Sequence, residues 1–184
     1  MTTLAGSEVV VQRAARLSED RVYRYWLSRS WATPDELRRT AIFVMLNPSV
    51  ADDGKDDTTI GRCVGFARAW GCNAIQVVNL YAYVNPDPAA MFQARRAGVE
   101  ITGGKTNEAV LATSFGAART LGTPLVAAWG ANAEVARVSE VMRLAGSARM
   151  QCLGTTKSGM PLHPLYQRYQ TPLMPFVWEE NDRG

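Results

Sequence analysis

Histidine, cysteine and long apolar runs are all scarce in this sequence. It contains 1 histidine and 3 cysteines in 184 residues. The cysteines, Cys63, Cys72 and Cys152, are odd in number and their spacing fits no metal-binding knuckle, so we expect buried or free thiols and neither a metal site nor a cofactor. Because His163 stands alone, no Ser-His-Asp or Cys-His pair elsewhere competes for it.

Two further absences bear on location and partners. No apolar run approaches the ~20 residues of a membrane span, and the N-terminus lacks the apolar stretch and cleavage site of a secretion signal. We therefore expect a cytoplasmic protein without membrane contact, and a monomer. The net charge is only +3, which is compatible with nucleic-acid binding without requiring it. The arginines clustered before residue 40 serve equally well as phosphate contacts or as a solvated face.

Apolar runs alternate with helical patterns along the chain. Four short runs predict buried strands: 41–46, 74–80, 124–130 and 150–154. Four segments predict helices: 58–71, 89–97, 104–119 and 132–146. Strands that are continuously apolar indicate burial on both faces of a sheet. The pattern predicts an α/β fold in a single domain over residues 1–184: a three-layer α/β/α sandwich around a mainly parallel, four-stranded central sheet.

Polar groups follow each predicted strand. Asn47 comes after the first strand, Asn79 after the second, Trp129-Gly130 after the third, and the segment leading to His163 after the fourth. In open α/β sheets the functional crevice lies beyond the carboxyl ends of the strands. We therefore expect these four segments to converge on one rim.

Almost the whole chain resembles a bacterial and phage family of uncharacterised proteins, DUF1643. The resemblance lies in the blocks MLNPSVADDGKDDTTIGRCVGFARAWG, VVNLYAY, AAWGANA and LGTTKSGMPLHPLY. The parts MLNPS, VVNL, AAWG and HPLY are also similar to the strand-end motifs of the uracil-DNA glycosylase superfamily, which has an α/β/α sandwich with a parallel four-stranded sheet. Here Met45 replaces a glycine of the first motif, and Leu165-Tyr166 replace the Ser-Pro of the last.

This resemblance implies a monofunctional DNA glycosylase, which hydrolyses the N-glycosidic bond of a flipped base and leaves an abasic site. It implies that Asn47 positions the attacking water, that Asn79 reads the base edge, and that His163 donates to the departing base or contacts a phosphate. Each residue also has an ordinary alternative. Asn47 can simply end a strand in an Asn-Pro turn, Asn79 can be a cap or turn residue, and His163 can be an exposed loop histidine.

The departures from the superfamily motifs favour a damaged or modified base over plain uracil. Occurrence of the family in bacteria and phages suggests antiviral defence, in which a hypermodified base is removed from invading DNA; this rests on analogy. Two other functions stay open. One is a nucleotide- or nucleic-acid-binding protein without catalysis, and the other is a hydrolase of free nucleosides or nucleotides.

The acidic loop before the first helix contains Asp52, Asp53, Asp56 and Asp57. We include Asp57 among the catalytic residues, because a carboxylate near the sugar favours positive charge there and can activate water. The alternatives are a Mg²⁺ site, a helix N-cap at Asp56 or Asp57, and a solvated loop.

Further candidates complete the predicted site. Five residues are assigned to the substrate pocket: Asn79, Pro48, Ser49, Phe66 and Tyr81. The alternative for the two aromatic residues is a place in the core. Four residues are assigned to DNA contacts: Lys157, Ser158, Leu165 and Tyr166. Lys157 and Ser158 suit a phosphate, whereas Leu165 and Tyr166 would fill the gap left by a flipped base or pack against the body of the protein.

Overall fold

The computed structural model describes residues 11–49 and 57–178, which form one sheet with helices on both of its faces. The strands are β1 (Gln12–Leu17), β2 (Arg24–Ser30), β3 (Thr40–Met45), β4 (Ala74–Asn79), β5 (Leu125–Ala127), β6 (Met150–Cys152) and β7 (Met174–Pro175). The helices are α1 (Thr58–Ala69), α2 (Pro88–Arg96), α3 (Gly104–Leu121) and α4 (Val135–Ala145), and a short 3-10 helix covers Pro164–Tyr166.

The seven strands lie in the order β1-β2-β4-β3-β5-β6-β7. β3 pairs in parallel with β4 and β5, and β5 with β6. The β1–β2, β2–β4 and β6–β7 pairings are antiparallel. The predicted α/β class is confirmed, but the prediction of four strands was wrong, because the sheet is seven-stranded and mixed. The additional strands are β1, β2 and β7. β1 and β7 lie at the edges, where exposed positions interrupt the apolar pattern, and the run of β2 contains Arg24 and Arg29.

The two faces of β3 are buried in separate cores. Ile42 and Val44 point into a core shared with α3 and α4, whereas Phe43 and Met45 point into a core shared with α1. Alternate residues of a strand face opposite sides of a sheet, so a continuous apolar run is needed where helices cover both sides. This double burial makes the central strands a rigid support for the groups at their ends.

The helices begin and end close to the predicted positions because their local signals are strong. Asp57 caps α1 by accepting a hydrogen bond from the backbone N–H of Ile60 at 2.9 Å. Asp87 caps α2, and Pro88 occupies its first turn. No helix in the described part of the chain has both the length and the apolar composition of a membrane span.

The three cysteines are buried and unbridged. Burial raises the pKa of each thiol. We therefore expect the folded protein to react with a thiol reagent such as Ellman's reagent far more slowly than the protein in denaturant, where all 3 thiols should react at once. Rapid reaction of all three in the folded state would contradict the packing of both cores.

Candidate active site

A cavity of about 490 Å³ lies at the carboxyl ends of the parallel strands. Asn47 follows β3, Asn79 ends β4, and Trp129 follows β5 in its wall; His163 enters from the segment after β6. Parallel strands bring their carboxyl ends to the same edge of the sheet, which is why segments far apart in sequence meet here. The three polar residues that the sequence places at strand ends therefore do surround one space.

The amide of Asn47 is held in a fixed orientation. Its Nδ2 donates to the carbonyl oxygens of Pro48 at 3.1 Å and Asn85 at 2.7 Å. These bonds use both N–H groups of the amide, so the polar atom that Asn47 can offer to a ligand is the acceptor Oδ1. An acceptor in the cavity wall is suited to hold a water or a hydroxyl group.

The side chain of Asn79 is enclosed and unsatisfied. The residue is 0% exposed, and neither Nδ2 nor Oδ1 has a hydrogen-bond partner among the described residues. An unpaired buried polar group costs about 1–3 kcal/mol. Since Asn79 also lines the cavity, a ligand with one acceptor and one donor on the same edge would remove this cost.

His163 is set up as a neutral hydrogen-bond donor. Its Nδ1 accepts from the backbone N–H of Leu165 at 3.2 Å, so in the neutral ring the proton lies on Nε2. Burial lowers the pKa of His163, and the nearby charge of Asp57 opposes that shift without reversing it. At neutral pH the ring therefore carries an Nε2–H that can donate to a ligand.

The backbone opposite His163 is glycine for a geometric reason. Gly130 has a φ of +76°, which disfavours any residue with a side chain. A Cβ atom at this position would lie 3.5 Å from the Cβ of His163, which is an ordinary contact distance. The backbone turn after β5, and not a lack of space beside His163, therefore favours glycine here.

The structure shows one of the roles that the sequence leaves open for Asp57, the helix N-cap. It caps α1 through Oδ1 and also lines the cavity, together with Ser49. The cap occupies one carboxylate oxygen and leaves Oδ2 for a ligand or a water. The other acidic residues of the loop, Asp52, Asp53 and Asp56, lie outside the described residues.

The residues predicted to contact DNA lie at or near the cavity mouth. Tyr166 lines the cavity and is 80% exposed, whereas Leu165 is half-buried. Lys157 and Ser158 are exposed in a turn that begins at Thr156, a lining residue, and the Ser158 hydroxyl lies 2.8 Å from the Thr156 hydroxyl. Tyr166 and the turn are therefore accessible to a large ligand outside the cavity.

Three residues assigned to the substrate pocket lie elsewhere. Phe66 lies on the buried face of α1 and packs against Trp70 with ring centroids 5.5 Å apart. Tyr81 is buried on the opposite face of the sheet, where its hydroxyl donates to Glu134 at 3.1 Å. Pro48 is buried and does not line the cavity; only its carbonyl takes part, as the acceptor for Asn47. None of these three residues lines the cavity, because sequence spacing does not show which face of an element a side chain occupies.

Sequence reasoning missed Arg24 and did not assign Trp129. Both line the cavity although they are only 3% and 1% exposed. The indole Nε1–H of Trp129 has no partner among the described residues. Arg24 was grouped with exposed arginines, although its place in the segment YRYW, among aromatic residues, is a signal of burial.

Comparison with known proteins identifies a family and nothing more specific. A family model described as "Protein of unknown function (DUF1643)" matches residues 24–165, well over half of the chain. Those residues include every cavity-lining residue except Tyr166. Comparisons with the curated proteins and with the solved structures found no match.

The unsatisfied amide predicts an unusual stability effect. Asn79→Leu removes two unpaired polar atoms at similar volume, so we expect the free energy of unfolding to stay the same or rise by up to about 2 kcal/mol. As a control, Asn73→Leu should lower it by about 1–2 kcal/mol, because both ends of the Asn73 amide are hydrogen-bonded to the backbone of Leu37 and Arg39. Urea titration measures both. Clear destabilisation by Asn79→Leu would mean that its amide is satisfied in the free protein.

The pKa of His163 can be measured directly, because it is the only histidine. We expect its imidazole signal in NMR to titrate below the ordinary value of 6.5. The unfolded chain then binds the proton more tightly, so this residue's contribution to stability is present above pH 6.5 and is lost as the pH falls through the folded-state pKa.

Asp57→Asn should lower the pKa of His163 further, because it removes the charge that raises it and keeps a good N-cap. Asp87→Asn, at the cap of α2, is the matched control and should leave that pKa unchanged. An unshifted pKa in the Asp57 variant would show that this carboxylate does not act on the imidazole.

Proposed function

The chain belongs to the DUF1643 family, and from that starting point we propose that it is a monofunctional DNA N-glycosylase. It hydrolyses the N-glycosidic bond of a damaged or modified base and leaves an abasic site. The observation that carries the proposal is the buried amide of Asn79, unsatisfied in the wall of a cavity that also holds a fixed acceptor at Asn47 and a neutral donor at His163.

The proposed chemistry assigns a separate role to each of three residues, Asn47, His163 and Asp57. Oδ1 of Asn47 accepts a hydrogen bond from a water and aligns it with C1′ of the sugar. As the water oxygen bonds to C1′, the C1′–N bond breaks and its electron pair leaves with the base. Nε2–H of His163 donates to the departing base and stabilises its negative charge, as an oxyanion hole does. Asp57 favours the positive charge on the sugar and takes the proton from the water.

Base recognition and DNA contact follow from the same arrangement. The base must leave the duplex to enter the cavity, and the donor and acceptor of Asn79 then pair with its edge. Tyr166, exposed at the mouth, fills the space that the base leaves, with Leu165 beside it. Lys157 and Ser158 contact a phosphate next to the target nucleotide.

A uracil-DNA glycosylase-like fold is part of this proposal. The parallel pairings among β4, β3, β5 and β6 support it. So does the position of the motifs MLNPS, VVNL and AAWG at the ends of β3, β4 and β5. Of the antiparallel strands at the edges, β2 reaches these strand ends and places Arg24 in the cavity wall, whereas the cavity lining includes no residue of β1 or β7.

An alternative function is hydrolysis of free nucleotides. The cavity volume of about 490 Å³ lies within the usual range of small-molecule pockets, so a nucleotide could be the whole ligand. In that case the protein hydrolyses nucleotides and has no need of Tyr166 at the mouth. The two functions differ in whether duplex DNA is a substrate.

Variants at the strand ends test the proposal. Purified protein is incubated with genomic DNAs that carry different modified bases, and released base is measured by mass spectrometry alongside alkali-labile sites. On the substrate so identified, Asn47→Ala should abolish base release while DNA binding persists, because the oriented water matters only in the chemical step. His163→Ala should slow release by roughly 10²-fold or more.

Controls separate this mechanism from its competitors. Tyr81→Phe, outside the cavity, should release base at the wild-type rate. A chelator should have no effect; loss of activity that Mg²⁺ restores would make the acidic loop a metal site. If Asn47→Ala releases base at the wild-type rate, Asn47 only ends a strand and has no part in catalysis. If the protein cleaves free nucleotides and not DNA, the alternative function is favoured.

A further inference from the structure

The segment that carries His163 and Tyr166 is anchored to α1 by a tyrosine outside the cavity. Tyr169 lies over Gly65 of that helix, so closely that a Cβ atom at Gly65 would be 2.6 Å from Cζ and 2.8 Å from Oη of the tyrosine. Real Cβ atoms essentially never approach other atoms this closely. The ring therefore occupies the space that any other residue at position 65 would fill.

Two neighbours on the same face of α1 hold the ring in this recess. The guanidinium carbon of Arg62 lies 4.0 Å from the centroid of the Tyr169 ring, a cation–π contact. The ring of Phe66 meets Tyr169 edge to face, with centroids 5.3 Å apart. Tyr169 is still 41% exposed, so its position depends on these contacts more than on complete burial.

The recess requires a glycine inside α1, where glycine lowers the stability of the helix. Glycine inside a helix is less favourable than alanine by about 0.5–1 kcal/mol. α1 contains two, Gly61 and Gly65, and a Cβ at Gly61 would meet nothing within 4 Å. Gly61 and Gly65 thus share a helix and a helix-propensity cost, but only Gly65 makes room for another side chain.

α1 also connects the recess to the cavity. Its N-cap Asp57 and its first-turn residue Ile60 line the cavity, and the 3-10 helix that follows His163 packs on it. Backbone hydrogen bonds make the intervening segment a series of tight turns: Tyr166 N–H to His163 O at 3.3 Å, Gln167 N–H to Pro164 O at 3.1 Å, and Thr171 N–H to Arg168 O at 3.0 Å. Movement of Tyr169 should therefore be transmitted to His163.

We propose that Tyr169, docked over Gly65 and held by Arg62, is a positioning residue that fixes the imidazole of His163 in the cavity wall. It touches no substrate and acts through the turns between them. Its consequence for base release rests on the proposed function, whereas the positioning itself does not.

The NMR signal of His163, the only histidine, reports the environment of the imidazole directly, and the measurement needs no substrate. Gly65→Ala should displace the ring, since the clash is with the far end of a flexible side chain. Tyr169→Ala removes the anchor without introducing a clash. In both variants the His163 signal should move and its pKa should rise towards 6.5, because the ring becomes more exposed to solvent. The other titratable or charged residues that line the cavity, Asp57, Tyr166 and Arg24, are unchanged in these variants.

Matched variants separate positioning from general stability. Gly61→Ala makes the same change in the same helix without a clash, and Tyr169→Phe keeps the ring; both should retain the wild-type signal and pKa of His163. Urea titration shows whether each variant is folded. If Gly65→Ala does not fold, the test depends on the comparison of Tyr169→Ala with Tyr169→Phe.

The outcomes are distinct. If Tyr169→Ala leaves the signal and pKa of His163 as in Tyr169→Phe, the anchor does not position the imidazole and the inference is wrong. If the signal moves as expected but the wild-type protein releases no base from any DNA, the positioning stands and the glycosylase proposal fails. If base release occurs, Tyr169→Ala should slow it at least several-fold more than Tyr169→Phe does.

Discussion

The cavity depends on the parallel pairing of β3 with its two neighbours. In that register Met45 lies opposite Asn79, and Val44 lies opposite both Val78 and Ala127. The strands therefore end close together, and just beyond them the N–H of Tyr81 still donates to the carbonyl oxygen of Leu46 at 2.9 Å. Because helices bury both faces of these strands, their ends are rigid. Groups so placed need little reorganisation when a ligand enters.

The polar groups of the cavity differ in how far the protein itself satisfies them. The amide of Asn47 is fixed by two hydrogen bonds, and the Nδ1 of His163 is fixed by one. Asn79 has none to its side chain among the described residues, and the indole N–H of Trp129 has none either. Fixed groups set geometry, whereas unsatisfied buried groups favour a bound ligand over an empty site. This division is what a selective binding site requires.

α1 organises one side of the site. Its N-terminus brings the Asp57 carboxylate to the cavity, and its middle turn provides the recess for Tyr169. The 3-10 helix that follows His163 packs on α1. This packing brings residues more than a hundred positions apart in sequence close enough for the charge of Asp57 to act on the pKa of His163.

Local patterns in the sequence determined the α-helices, the strands β3 to β6 and the order of the groups at the ends of those strands. The apolar run of β3 and the capping Asp57 can be recognised from a few neighbouring residues, and so can the polar residues that follow each strand. Only the tertiary structure decided which side chains face the cavity. Phe66 and Tyr81 turn into the cores, Arg24 is buried in the cavity wall, and the edge strands β1 and β7 join the sheet. The reason is physical: periodicity fixes the conformation of a segment, but burial and hydrogen bonding depend on partners that are remote in sequence.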